Sequence, residues 1–153
     1  MCGILGALAK YDIDRDKFNS ILNRIDHRGP DGSGINEIGL DSYNVLLGHR
    51  RLSIIDLSER GSQPMKTYDD RYHLIFNGEI YNYIELKNTL GDLGYNFSSD
   101  SDSEVLLYSW AEWGSKSLKK LEGMFAFALF DKKEKMLYLA RDGFGIKPLY
   151  YYY

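Results

Sequence analysis

The only cysteine of this 153-residue chain stands at position 2, in Met1-Cys2-Gly3-Ile4. If Met1 is removed after synthesis, Cys2 carries a thiol and a free α-amino group on one residue. The thiol is a strong nucleophile, and an α-amine titrates close to neutral pH. A general base works best when its pKa lies near the working pH. One residue then supplies both nucleophile and base, as an N-terminal threonine does. The alternative is that a small residue merely follows the start codon, and Cys2 by itself does not decide between the two.

A thiolate that attacks a carboxamide creates an oxyanion, which needs fixed donors aimed at it. Asn77-Gly78 offers an amide NH2 and a backbone N–H that can be approached closely. The same pair is also the strongest short signal for a hairpin turn. An amino-acid substrate needs both of its ends held. Arg51 has the fork geometry for a carboxylate, and Asp102 has the charge for an ammonium. Arg51 is equally readable as a surface charge beside Arg50. Asp102 is equally readable as an acid at the positive end of a helix. The residues alone leave these alternatives open.

Other groups carry less. His27, His49 and His73 lack metal-ligand spacing and read as structural, so no metal site is expected. Asp31, Asp56, Asp69 and Asp70 read as loop carboxylates. There is no phosphate loop of the G-x-x-x-x-G-K-[ST] type, and Gly143-Phe144-Gly145 is too short to mark a nucleotide site.

These residues need a scaffold, and the chain is long enough for one domain with a real core. A net charge of −3 gives no basic field for nucleic acid. One cysteine forms no internal disulfide, which suits a reducing cytoplasm. No apolar run spans a bilayer, and no signal peptide is evident.

Gly3 to Ala9 reads as a buried strand that begins beside Cys2. Phe18, Ile21, Leu22 and Ile25 fall at helical spacing within residues 15 to 28, and the His27 to Gly32 turn ends that helix. Strands are expected at Gly34 to Leu40 and Val45 to Gly48, with an extended segment over Arg51 to Leu57. Residues 58 to 69 read as a polar loop, and Tyr72 to Phe76 as a strand running into Asn77-Gly78. Asn82 is placed to cap a helix that Gly94 stops. Ser101 and Glu104 fit a capping box for the next helix. Leu118 to Leu121 suits a short helix. Phe125 to Phe130 and Met136 to Ala140 flank a turn, as in a β-hairpin. The closing Tyr150 to Tyr153 read as a strand cut in mid-course, which suggests a piece of a longer protein. Helices lie between groups of antiparallel strands, so an α+β fold with layered sheets is expected.

Seven runs, in order, match one family. They are Met1 to Ile4; His27-Arg28-Gly29-Pro30-Asp31 with Ser33-Gly34; His49 to Ile54 with Gln63-Pro64; Asn77 to Asn82; Ser101 to Glu104; Gly123 to Ala128; and Arg141 to Tyr150. They span nearly the whole chain. It resembles the glutaminase domain of class II glutamine amidotransferases, which are N-terminal-nucleophile hydrolases. Within that class it is most similar to the glutamine-hydrolysing asparagine synthetases. Arg28-Gly29-Pro30-Asp31 stands where glucosamine-6-phosphate synthases typically have a tyrosine in the third place.

The resemblance implies a four-layer αββα sandwich. It implies Cys2 as nucleophile and, with Met1 gone, as base. Asn77 and Gly78 would form the oxyanion hole. Arg51 would bind the α-carboxylate of L-glutamine and Asp102 its α-ammonium. Leu52, Ser53, Ile54, Ile55 and Glu79 would line the pocket. The glutaminase reaction would need no cofactor. ATP and Mg2+ would belong to a synthetase domain that this chain lacks, and residues 1–153 would be a glutaminase domain incomplete at its C-terminal end. A cytoplasmic enzyme with no nucleic-acid or membrane partner is expected, and a homodimer is left open. Two rivals remain at this point: another N-terminal-cysteine amidase of acylase type, and a non-catalytic fragment that keeps Met1.

Overall fold

Period-two patterning builds two antiparallel sheets that share one apolar interior. In the computed structural model, which describes residues 1–153, β1 (Gly3–Ala9), β2 (Gly32–Gly39) and β3 (Asn44–Arg51) form the first sheet in the order β1-β3-β2. β4 (Met65–Lys66), β5 (Tyr72–Ile80), β6 (Gly123–Asp131) and β7 (Met136–Arg141) form the second in that order. Val45 and Leu47 on β3 meet Ile75 on β5 and Ala128 and Phe130 on β6 between the sheets. The alternate residues Leu74, Phe76, Phe125, Phe127 and Leu129 face the opposite way. There they pack on α2 (Tyr83–Asp92) and α3 (Asp102–Trp113), through Leu86, Leu90, Val105, Leu106 and Trp110.

The outer face of the first sheet is covered by α1 (Arg15–Asn23), capped by the Asp14 side chain. Its buried residues, Phe18 and Leu22, lie over Gly48, where a Cβ would stand 2.8 Å from the Phe18 ring. The result is the four-layer α+β sandwich α1, sheet, sheet, α2 and α3. No helix is long and apolar enough to cross a membrane.

Several local expectations are refined. The first helix stops at Asn23, and a separate 3-10 turn covers Asp26–Arg28. Arg51 closes β3, but the residues after it form no strand, because they turn away to wall a pocket. Asn77-Gly78 is no hairpin turn: both residues lie inside β5, which runs on to Ile80. Asn82 stands at the N-cap of α2 without capping it. Its amide instead donates to the Lys120 carbonyl at 2.9 Å and accepts from the Glu122 N–H at 3.1 Å. Ser101 does cap α3, but Glu104 reaches back to the N–H groups of Ser98 and Ser99, so the box is only half made. The hairpin of β6 and β7 forms as expected; β6 is longer at both ends, and β7 runs one residue further, to Arg141. Tyr150 to Tyr153 form no strand and are exposed, since no neighbouring strand lies alongside to take their backbone groups.

Candidate active site

The inward-facing phase of each strand changes from apolar to polar at the same end of the sandwich. On β3 it runs Val45, Leu47, His49, Arg51. On β5 it runs Ile75, Asn77, Glu79. On the first strand Ile4, which packs on the inter-sheet cluster, is followed outward by Cys2. Register keeps these ends together: Gly3 lies opposite Arg50, and Glu79 opposite Met124. A pocket of about 110 Å³ opens where the apolar filling ends.

Every residue to which the resemblance gave a site role borders this pocket: Cys2, Arg51, Leu52, Ser53, Ile54, Ile55, Asn77, Gly78, Glu79 and Asp102. The Leu52 N–H donates to the Cys2 sulfur at 3.4 Å, and the thiol lies 3.7 Å from the Leu52 carbonyl. Arg28 Nε donates to the Cys2 carbonyl at 3.1 Å. Gly29 lets this turn seat directly on β3, since a Cβ would fall 2.3 Å from the Arg50 carbonyl carbon. Asp31, read earlier as a loop carboxylate, accepts the Ser53 N–H at 2.8 Å. The His27 to Asp31 run therefore braces both Cys2 and the pocket wall.

Burial pushes the Cys2 thiol above its ordinary pKa, and Asp102 adds to this; the Leu52 hydrogen bond, the N-terminal ammonium and Arg51 oppose it. The resting sulfur is a thiol, so attack needs a base. No histidine borders the pocket. With Met1 present the Cys2 nitrogen is a peptide amide and carries no basic lone pair.

The free edge of β5 supplies the donors. Phe125, opposite Gly78, directs its own N–H and carbonyl to Asp142 on the far side. The Gly78 pair is thus the type that exchanges no hydrogen bonds, and the Gly78 N–H points away from β6. Beyond the two-residue β4 no strand covers this edge. Leu74 pairs with β4, Phe76 N–H is taken by Gln63, and Ile80 N–H is taken by Asp102 at 3.0 Å. Gly78 N–H lies between them, facing the pocket. A side chain here would collide with the backbone, since a Cβ would lie 2.3 Å from the Met124 carbonyl oxygen. The neighbouring Asn77 side chain makes no hydrogen bond inside the protein, although the residue is 5% exposed.

Asp102 opens α3 and lies 6% exposed. Burial pushes its carboxyl up to about 6, with Glu79 adding, against the pull of the Ile80 and Ser103 N–H groups. Arg51 is not a free surface charge. It donates from Nη1 to the Ser58 carbonyl at 2.7 Å and to Ser62 Oγ at 3.5 Å, and from Nη2 to the Asp56 carbonyl. Those bonds use three of its five N–H groups. It folds the pocket loop around itself and keeps donors to spare.

The pocket also includes residues that sequence reasoning missed as site residues: Gln63, Ser103, Met124 and Lys147 among them. Met124 could have been found, since it continues the Ala126, Ala128, Phe130 phase of β6. Lys147 had no such signal. The Asp142 carboxylate places it, accepting the N–H groups of Phe144, Ile146 and Lys147.

An αββα sandwich with a lone cysteine at the head of its first strand, facing a pocket between the sheets, is the layout of an N-terminal-nucleophile hydrolase. The family described as glutamine amidotransferase domain matches residues 1–153. The chain belongs to that family. It is 47% identical to asparagine synthetase (glutamine-hydrolyzing) 1 of Bacillus subtilis, over 99% of this chain and 24% of that protein. It is 42% identical to asparagine synthetase (glutamine-hydrolyzing) 2 of rice, Oryza sativa, over 98% of this chain and 25% of that protein. The chain thus spans about a quarter of the length of these curated relatives.

Among solved structures, glutamine phosphoribosylpyrophosphate amidotransferase of B. subtilis superposes with a TM-score of 0.71 at 22% identity, over 91% of this chain and 37% of that one. A structure described as the allosteric regulatory enzyme of purine biosynthesis superposes at 0.75 with 21% identity, over 95% of this chain and 38% of that one. At such identities the likeness is one of fold.

Proposed function

We propose that this chain, once Met1 is removed, hydrolyses L-glutamine to glutamate and ammonia through a γ-glutamyl thioester on Cys2. The observation that carries this reading is the convergence on one pocket of a thiol, an unpaired Asn77 amide, a free Gly78 N–H, a guanidinium and a carboxylate. The spare N–H groups of Arg51 take the substrate α-carboxylate, and Asp102 takes the α-ammonium. Leu52 to Ile55 and Glu79 wall the site. The side-chain amide is left pointing at Cys2.

The Cys2 amine, directly or through one water, accepts the thiol proton. Sulfur bonds to the amide carbon, and the carbonyl electron pair moves onto oxygen. The Asn77 amide and Gly78 N–H hold that oxyanion. The proton on the amine passes to the leaving nitrogen, the C–N bond breaks, and ammonia departs. Water, deprotonated by the same amine, then attacks the thioester carbon. Glutamate leaves and the thiol is restored. No cofactor enters these steps.

In the whole protein the ammonia is consumed by a synthetase domain that follows this one and uses ATP and Mg2+ to activate a carboxylate, aspartate in the asparagine synthetases. The names and lengths of the relatives support this assignment, and residues 1–153 are then most of the glutaminase domain. The setting is cytoplasmic, as is usual for a free thiol. Pairing into a homodimer is consistent with this role.

The test is intact mass before and after treatment with a diazo-ketone analogue of glutamine. Expected are the loss of one methionine and one adduct per chain, blocked by excess glutamine, together with glutamine turnover. A processed chain that hydrolyses other acyl amides and leaves glutamine untouched identifies an acylase instead. A processed chain that takes no adduct refutes catalysis.

A further inference from the structure

The backbone of Phe76, just before the proposed oxyanion hole, is held at both its N–H and its carbonyl by side chains that the reaction itself does not use. Gln63 Oε1 accepts the Phe76 N–H at 2.6 Å. His49 Nε2 lies 3.2 Å from the Phe76 carbonyl. A carbonyl only accepts, so Nε2 carries the proton and the ring is in that tautomer. Burial pulls His49 down to about 4, which keeps the ring neutral near pH 7. Its Nδ1 is buried with no partner. An orphaned acceptor of this kind is costly in an interior. The only hydrogen bond of the ring within the protein is the one to Phe76.

The two side chains arrive from different parts of the fold. His49 sits on β3 opposite Ile4, two residues from Cys2, so its bond to β5 crosses between the sheets. It therefore spans the gap between the sheet that carries the sulfur and the strand that carries Asn77 and Gly78. Gln63 comes from the loop that Arg51 braces, and its Nε2 donates to Ser103 Oγ at 3.0 Å, beside Asp102. Together they satisfy the edge groups of Phe76 that a longer β4 would otherwise pair. A strand continued along that edge would run on past Gly78 and consume its N–H.

We propose that His49 and Gln63 are positioning residues for the oxyanion hole, holding the Phe76 backbone on both sides of its Cα so that the Asn77 amide and the Gly78 N–H stay aimed at the oxygen of a carboxamide under attack by Cys2. This rests on the glutaminase reading above. A misplacement of the donors by about 1 Å lowers turnover by roughly 100-fold while leaving the ends of the substrate held.

The experiment compares His49→Leu, Gln63→Leu and His49→Gln with the unsubstituted full-length protein after Met1 removal. Glutamine kcat and KM are measured beside binding of the γ-aldehyde of glutamate, which adds Cys2 to form a tetrahedral oxyanion, and of glutamate, which does not. Expected in both leucine variants is a fall in kcat of roughly 10- to 100-fold. Aldehyde affinity falls in parallel, while KM and glutamate affinity hold. His49→Gln keeps an N–H donor near the Nε2 position and restores most of the kcat. Should a leucine variant not fold, His49→Asn carries the same expectation, since its amide is polar but too short to reach Phe76.

Folded variants with unchanged kcat, or with glutamate affinity lost in step with aldehyde affinity, overturn the assignment while the glutaminase reading stands. No turnover by the unsubstituted processed protein overturns both.

Discussion

Lys147 Nζ donates to the thioether sulfur of Met1 at 2.9 Å, and this is the only hydrogen bond its ammonium makes. Lys147 is 4% exposed and forms no salt bridge. A thioether is a weak acceptor, so the cation is held at the pocket by the very residue that blocks the Cys2 nitrogen. Removing Met1 frees the amine and leaves Lys147 without that partner. A buried charge with no counter-charge destabilises the fold. Lys147→Met in the processed protein is therefore expected to raise Tm by a few degrees, read by calorimetry. A lower Tm means that the ammonium finds a partner once Met1 has gone.

Asn77→Ala removes an amide that nothing in the protein uses. The expected result is a loss in kcat on the order of 100- to 1,000-fold, with Tm unchanged within about 1 °C, the scale of a substitution that breaks no internal contact. Steady-state kinetics and thermal unfolding on the same preparation check both halves. Near-normal turnover removes Asn77 from the oxyanion hole.

Asp102 separates binding from stability. Its folded pKa of about 6 lies above its ordinary value of 3.8. The folded state therefore binds more protons than the unfolded state between those values, and the carboxyl's contribution to stability is lost as pH rises through that window. Asp102→Asn lacks the titration and keeps an oxygen for the Ile80 N–H. Expected is a variant more stable than the parent at pH 7.5, with the advantage shrinking to nothing by pH 4. In the same variant the KM for glutamine should rise steeply. Unfolding curves across that range decide the first point. A stability difference that does not vary with pH removes the titration from Asp102.

Arg51→Lys keeps the charge and loses the fork. The carbonyls of Asp56 and Ser58 then lose their donors, so the loop over residues 52–62 should become the first site of proteolytic cleavage. Hydrogen bonds to a charged group are each worth about 1.5–3 kcal/mol, so a measurable drop in Tm is expected together with a raised KM. Unchanged glutamine saturation would refute the carboxylate clamp and leave Arg51 as a loop brace alone.

Much of this site can be read from the alternation of residues. Once β3 and β5 are recognised as strands, the phase that buries Val45, Leu47 and Ile75 must also bring Arg51 and Asn77 to the same side. The matched runs then name the partners. Three things were not legible. Asn77-Gly78 has the composition of a turn, and only pairing with β6 shows it to be strand interior. The Glu104 carboxylate was expected to close a box and is drawn instead to Ser98 and Ser99, because the preceding loop doubles back over the helix end. The inward placement of Lys147 depends on a loop wound about one carboxylate, for which no periodicity exists. Local pattern finds which face a residue takes, whereas loop residues are placed by long-range partners.

The open margin of β5 has a bearing beyond turnover. A row of unsatisfied backbone groups invites a strand from another molecule, and natural sheets blunt such margins. Here β4 ends after two residues, and His49, Gln63 and Asp102 stop the remaining positions with side chains, leaving a single N–H that glutamine would reach. The groups that shape this pocket therefore also satisfy a margin that lies buried, with Phe76 2% and Ile80 0% exposed, so another strand would reach it only in a variant that strips them and opens the fold. Variants that strip them should be watched for aggregation during expression as closely as for lost activity.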